Sequence, residues 1–400
     1  MSPPDCRSAE HYPLGARIHA AELDRDPYPV LLRLQSDEPI TWIDALRLWY
    51  VTRYSDVQEI LLDTDHFLAA SPDSPIVRSF GEQMLNSDGE EHRRLRAAFA
   101  PAFTAKRIRD RMEMSIRRAA IELIDGFRDR GRVELRGALA SRLPILSMLG
   151  LCGLPSSHER KLRRWYDIFG ESLANFSNDA ATCARAQAAR AELHGFLDAA
   201  LDNAAATEGT SLLHELVLMP LEARLDRAEL RQNLAILLFG GISTVEALTL
   251  STLWALLTHP PILTRVREDS GLLVSAIDET VRWHSPVQSA TRFVARDLDW
   301  HGHHFSAGET VNCMIGAANR DPDVFENPER FDIDRPNIRR HLGFATGPHA
   351  CLGFLLARTE VRIALLELLE RLPGLTLQDP ERSTPTGAEF HQPVELMLGW

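Results

Sequence analysis

The chain has 400 residues, 44% of them hydrophobic and 25% charged, which suits a globular protein with a large core. A formal net charge of −12 argues against general nucleic-acid binding, which needs a basic face. Cys6, Cys152, Cys183, Cys313 and Cys351 lack paired spacing, so neither a disulfide framework nor a zinc site is indicated and a reducing cytoplasm is expected.

In chain order, residues 1–23 mix charges with prolines and have no apolar run for export or anchoring. The longest apolar run, 234–239, is too short to span a bilayer, so a soluble cytoplasmic protein without membrane association is expected. Segments 40–41 and 46–52, rich in Trp, Tyr, Val and Thr around a short turn, predict a hairpin. Helical periodicity predicts helices over 55–62, 91–99, 105–130, 158–169, 185–206, 227–257 and 272–283, with breakers at 71–75, 175–179 and 321–336. The fold class is mainly α with small β-sheets. The irregular stretch 321–346 is longer than an ordinary connection, and a structured, functional segment is expected there.

That stretch leads into Phe344-Ala345-Thr346-Gly347-Pro348-His349-Ala350-Cys351-Leu352-Gly353, a lone cysteine in a glycine-punctuated loop before a helical run at 354–372. A sequence can hold out one thiolate to haem iron in this way. Gly347 and Gly353 let the backbone turn tightly, and the N-terminus of the following helix favours the anion. A structural cysteine beside a loop is the other reading of these residues. Upstream, His92 and Arg96 lie four apart on one helical face, with Arg93 and Arg94 on other faces. Gly240-Gly241 sits inside a long helix, where each glycine costs about 1 kcal/mol relative to alanine, so close packing or a function is expected. Glu279 and Arg282, at i and i+3, read alone as a solvated helical pair.

The pattern Phe-x-x-Gly-x-His-x-Cys-x-Gly, fixed at Phe344, Gly347, His349, Cys351 and Gly353, resembles the haem-binding signature of the cytochrome P450 family. Ala345 stands where the family usually has glycine. The resemblance covers nearly the whole chain, and it implies one cytochrome P450 domain over 1–400, a triangular prism-like helical bundle around haem b (iron protoporphyrin IX), with Cys351 as the iron ligand. It further implies a buried triad of Glu279, Arg282 and Arg330 supporting the cysteine loop. His92, Arg96, Arg292 and His349 would bind the haem propionates. The Gly241 region is expected to be a local widening of the helix where dioxygen fits, and Thr244 to help protonate the iron-bound peroxide.

One departure bears on mechanism: the family usually has Asp or Glu where this chain has Ser243. Glu246 is no ready substitute, since it lies about 200° around the helix from Thr244 and is expected to face outward or into a buried pair. Ser243, ordered water or a substrate hydroxyl would then pass protons. The resemblance implies a pocket from 69–86, 165–189, 237–241, 287–291 and 388–392, with Gln288, Ser289 and His391 as possible polar anchors, for a medium-sized, largely apolar organic substrate. No dinucleotide glycine fingerprint follows a strand, so electrons are expected from an acidic ferredoxin docking at Arg339, Arg340, His341 and Arg358. The expected activity is a bacterial monooxygenase inserting one atom of O2, in secondary metabolism or catabolism. The alternatives are a peroxide-using or non-oxygenating haem-thiolate enzyme, and a non-catalytic haem-binding or carrier-docking protein.

Overall fold

The structure, a computed structural model, describes residues 10–72, 74–173 and 179–400. Cys6, position 73 and the breaker residues 175–178 lie outside them. The principal elements are α1 (Tyr28–Asp37), β1 (Ile40–Ile43), β2 (Leu48–Val51), α2 (Tyr54–Leu62), β3 (Phe67–Leu68), α3 (Gly89–Phe99), α4 (Glu113–Asp125), α5 (Arg142–Cys152), α6 (Glu159–Leu173), α7 (Ala180–Ala206), α8 (Arg227–Thr258), α9 (Leu273–Trp283), β4 (Ala290–Val294), β5 (Thr310–Cys313) and α10 (Phe354–Arg371). The chain divides into two compact units.

The first unit holds Met1–Ala69, Ala247–Cys351 and Leu375–Gly399. Its sheet runs β1-β2-β5-β4-β3, with β2 and β5 parallel and the other neighbours antiparallel. Alternation along each strand sorts side chains to two faces. Ile40, Trp42, Trp49, Val51, Val311 and Cys313 join the α2 residues Tyr54, Val57, Ile60 and Leu61 in one cluster. Ile43 and Tyr50 join the α1 residues Val30, Leu31 and Leu34 in the other. The expected hairpin is β1-β2, and Arg47 at its turn has φ 56°.

The second unit holds Ala70–Glu246, Leu352–Gly374 and Trp400. Glu367 of α10, 2% exposed, is gripped by Arg117 of α4 and by Arg371. Phe80, Tyr166, Phe169 and Phe239 pack ring against ring, with Phe80 4.8 Å from Phe169 and 5.1 Å from Phe239. The helix expected over 105–130 is broken: Ala105–Arg111 and α4 are separate, and Gly126 follows α4. Helices α1 and α5 escape the periodicity reading. In α5, Leu143, Pro144, Ile145, Ser147, Met148, Leu149 and Cys152 are buried around the cylinder, which leaves no polar stripe to mark it.

Helix α8 corrects the apolar-run argument. Over a longer window it is long and apolar enough to cross a bilayer, yet 72% of that stretch is buried, as in the core helix of a globular protein.

Candidate functional site

In the first unit the chain approaches Cys351 through a sequence of turns. Leu342 N–H donates to Asn319 Oδ1 (2.6 Å), and Ala345 N–H to Leu342 O (2.7 Å). Ala345 then takes φ +54° and Gly347 φ +73°. A Cβ on Gly347 would lie 2.6 Å from Leu61 O, so this position requires glycine on both counts. Ala350 N–H donates to Gly347 O (3.1 Å), and Cys351 N–H to Phe344 O (2.8 Å), which closes the loop. Gly353, in the second unit, differs from the expectation: its φ is −94° and its nearest foreign atom is 3.9 Å from the Cβ position, so within its own unit neither strain nor crowding demands glycine.

Of the described cysteines only Cys351 is exposed. Cys152 and Cys313 are buried, and desolvation pushes both thiols up to about 12, where they are inert. A thiol held outward on a hydrogen-bonded loop is the donor that an axial thiolate requires.

The loop's lead-in is fastened by a buried ion network. Arg282 of α9 donates from Nε and Nη2 to Glu279 at 2.8 and 2.7 Å, both residues at 0% exposure. Its other donors reach the carbonyls of Asn319, Pro328 and Arg330. The third cation is Arg335, 3.4 Å from Glu279, and not Arg330. Arg330 is exposed and contributes only its carbonyl, which Arg282 and Arg335 share. The helical pair is therefore a buried clamp, whose disruption would leave an uncompensated charge.

Arg292 is buried on β4 and His349 is half-buried in the cysteine loop of the same unit. In the second unit, His92 (3% exposed) and the half-buried Arg96 share a face of α3, while Arg93 and Arg94 are exposed and paired with Glu90, Glu91 and Glu229. Leu237, Gly240, Gly241 and Thr244 form an accessible stripe on the mostly buried α8, at i, i+3, i+4 and i+7. The glycines divide the two expected roles. Gly241 packs so closely on α5 that a Cβ would lie 2.7 Å from Met148 Sδ, whereas Gly240 opens onto free space. No widening interrupts α8, which is α-helical throughout; Thr244 Oγ1 donates back to Gly240 O at 2.7 Å. Ser243 is also partly accessible. Glu246 is the buried-pair carboxylate, 2.5 Å from Arg136 Nε; its pKa is raised by desolvation against the pull of that arginine.

The three expected polar anchors make contacts within the fold. Gln288 donates to Tyr28 Oη and Ser285 O, Ser289 donates to Glu389 Oε2 at 2.7 Å, and His391 stacks on His284 with its Nδ1 3.0 Å from Gly387 O. His341 is buried at 8% exposure while Arg339 and Arg340 are exposed, so it is no part of a basic docking surface. Sequence reasoning missed Glu360 of α10, fully buried beneath Ser147 (2.7 Å), whose carboxyl desolvation raises to about 8. No local pattern marks it, because a carboxylate amid leucines on a helix reads as an ordinary solvated face.

The model of the cytochrome P450 family matches residues 41–135 and 154–395. The chain belongs to the cytochrome P450 family. Over 368 residues it is 35% identical to the cytochrome P450 monooxygenase PikC of Streptomyces venezuelae, covering 88% of this chain and 85% of that protein. The Nocardicin C N-oxygenase of Nocardia uniformis is 32% identical with both chains covered in full. Among solved structures, P450BioI in complex with an acyl carrier protein ligated to hexadec-9Z-enoic acid superposes with a TM-score of 0.88 at 26% identity, over 96% of this chain and all of that one. This P450 is thus a haem-thiolate monooxygenase of bacterial type with haem b as its cofactor. In the first unit, the exposed Cys351 thiol on its hydrogen-bonded loop is of the kind that ligates haem iron.

Proposed function

We propose that this P450 inserts one atom of O2 into a medium-sized, largely apolar organic molecule, with Cys351 as the thiolate that would hold haem iron and residues 1–400 as one catalytic domain in the cytoplasm. The Cys351 loop carries the reading: its thiol alone among the described cysteines is exposed, and its backbone is fixed by the Phe344 carbonyl. Haem, when bound, supplies the oxygen-activating chemistry, to which a thiolate donates electron density.

The remaining roles fall to this chain's own side chains. Each unit offers donors of the kind a haem propionate would need, since a buried carboxylate is expensive to leave unpaired: His92 and Arg96 in the second, Arg292 and His349 in the first. Phe344 and Gly347 shape the cysteine loop, Gly353 leads into α10, and in the second unit Gly241 seats α8 against α5 while Gly240 leaves a patch of α8 free of side chains. Thr244 spends its proton on Gly240 O, which leaves its Oγ1 lone pairs to accept from a water or substrate hydroxyl. Ser243, beside it, both donates and accepts, and relays protons where the family uses an acid. Ser289 is held by Glu389, whereas the buried Gln288 Oε1 and His391 Nε2 have no hydrogen-bond partner among the described residues, so polar anchoring joins apolar fit in selectivity. Electrons come from a ferredoxin-type donor drawn to the exposed Arg339 and Arg340 of the first unit.

The test is the difference spectrum of the dithionite-reduced protein with and without carbon monoxide. A strongly red-shifted Soret band is expected in the wild type and is expected to be lost in C351H; a red-shifted band in C351H would overturn the assignment. Ser243 specifically favours one second reading, a peroxide-driven or non-oxygenating enzyme, and turnover with peroxide but not with ferredoxin would establish it. P450BioI was captured with a carrier-bound acyl chain, so candidate substrates merit comparison free and tethered.

A further inference from the structure

His341 sits beside two exposed arginines, yet its own side chain turns inward. The turn Ile338–Arg340 ends with His341 N–H donating to Ile338 O (3.2 Å), and the Leu342 amide is caught by Asn319, so the backbone sends the imidazole towards α9. There the Gly343 N–H donates to His341 Nδ1 at 3.2 Å. A nitrogen that accepts from an amide carries no proton, so the ring is neutral with its hydrogen on Nε2. Nε2 faces Asp278 Oδ1 at 4.0 Å, and Asp278 is 4% exposed. At 4.0 Å that carboxyl is beyond hydrogen-bond reach, so the ring is oriented by the Gly343 amide and Asp278 acts on it only as a polar neighbour.

The ring also lies against Phe344, with centroids 5.6 Å apart. Gly343 is pressed so closely on α9 that a Cβ would meet Val281 Cγ1 at 2.2 Å. Residues 341–344 are thus held against α9 by Gly343 on Val281 and by the imidazole that turns in beside Asp278. The next link is Phe344 O, which accepts the Cys351 amide at 2.8 Å. A rotation of the 343–344 backbone would move that carbonyl, and with it the cysteine.

We propose that His341, a buried imidazole beside Asp278, is a positioning residue for the Cys351 loop: it holds the Gly343 amide and backs Phe344, and so fixes the carbonyl to which the cysteine amide is bonded. The proposal rests on Cys351 being the thiolate ligand.

The experiment follows the haem-loaded, full-length protein in its reduced carbon monoxide form, recording conversion of the red-shifted Soret band to a shorter-wavelength band on mild heating, beside the thermal unfolding curve. H341L removes the acceptor. H341Q keeps polarity but places its amide at the Nε2 position, and serves where H341L does not retain haem. H341N returns an oxygen to the Nδ1 position. H341L and H341Q are expected to convert roughly fivefold faster than wild type, about the worth of one neutral hydrogen bond, and H341N to recover most of the wild-type lifetime. D278N, which changes only a polar neighbour of the ring and leaves the Gly343 bond in place, is expected to convert close to the wild-type rate. Wild-type conversion rates in H341L and H341Q overturn the positioning role. So does an H341N that converts as fast as H341L, because the ring would then matter only as filling. A wild type without any red-shifted band refutes the Cys351 assignment itself and removes the basis of the proposal.

Discussion

Replacing Gly347 by alanine tests whether the cysteine loop is held by backbone geometry. Two costs add. At φ +73° an L-residue pays about 1 kcal/mol for the left-handed conformation. The new Cβ would also stand 2.6 Å from Leu61 O, a backbone oxygen at the end of α2 that no side-chain rotation can move aside. Forcing a methyl group into packed structure costs about 1–3 kcal/mol, so the total is about 2–4 kcal/mol. Urea unfolding of haem-loaded G347A, read against wild type, measures it. The carbon monoxide spectrum of the same variant reports the thiolate, and a larger fraction of the shorter-wavelength band is expected because the displaced turn carries Ala350 and Cys351. G347A within about 0.5 kcal/mol of wild type, the range of neutral surface changes, with a full red-shifted band, would refute the reasoning.

Four further outcomes are expected. R335A, which leaves part of the buried Glu279 charge uncompensated, is expected to destabilise by about 3 kcal/mol, and R330A by less than about 0.5 kcal/mol; equal losses in chemical denaturation would contradict the network described. Glu360 has a folded pKa of about 8, above the ordinary 4.5, so its contribution is full below pH 4.5 and is lost as pH rises through 8. E360Q should then gain on wild type by up to about 1.4 kcal/mol per pH unit across that window, and parallel stability-pH curves would exclude a neutral buried carboxyl. His391, held down to about 4 by burial, works in the opposite sense: its stabilisation is present above pH 6.5 and lost as pH falls towards 4, so the wild type should lose melting temperature over that window and H391Q less, whereas identical profiles count against a buried neutral ring. In turnover, T244A is expected to lower product formed per reducing equivalent about tenfold and S243D to raise it; unchanged coupling in both would sink the proposed proton route.

Much of the fold was legible because its signals are local. The aromatic and β-branched run around Trp49, Tyr50 and Val51 predicts a strand, and in the fold its two faces enter two different clusters. Periodicity marks α2, α3 and α9 because each carries a polar stripe. It fails for α5, which shows no polar contrast along its sequence, and although the length of the stretch from Asp321 onward marks it as structured, periodicity does not say how it is held. That segment is ordered by long-range partners, Arg282 and Asn319 among them, whose bonds cannot be seen in the order of residues.

The site divides along the same line. Gly347 was readable because a positive φ and a close carbonyl leave glycine no substitute. Glu279 and Arg282 were readable because their spacing alone brings them together. Which third cation completes the clamp was not, since Arg330 and Arg335 are five residues apart in one irregular segment and both lie within reach along the chain. The turn decides it by folding the Arg330 carbonyl inward and its side chain outward, which hands the buried place to Arg335. Ala345 makes the complementary point. Its neighbours force φ +54° on a residue other than glycine, so the loop stores strain of about 1 kcal/mol at a position where the family usually avoids it. The hydrogen bonds of Leu342, Gly343 and Cys351 on either side hold it there, and a loop that tolerates such a residue is one whose conformation is set by those bonds rather than by local preference.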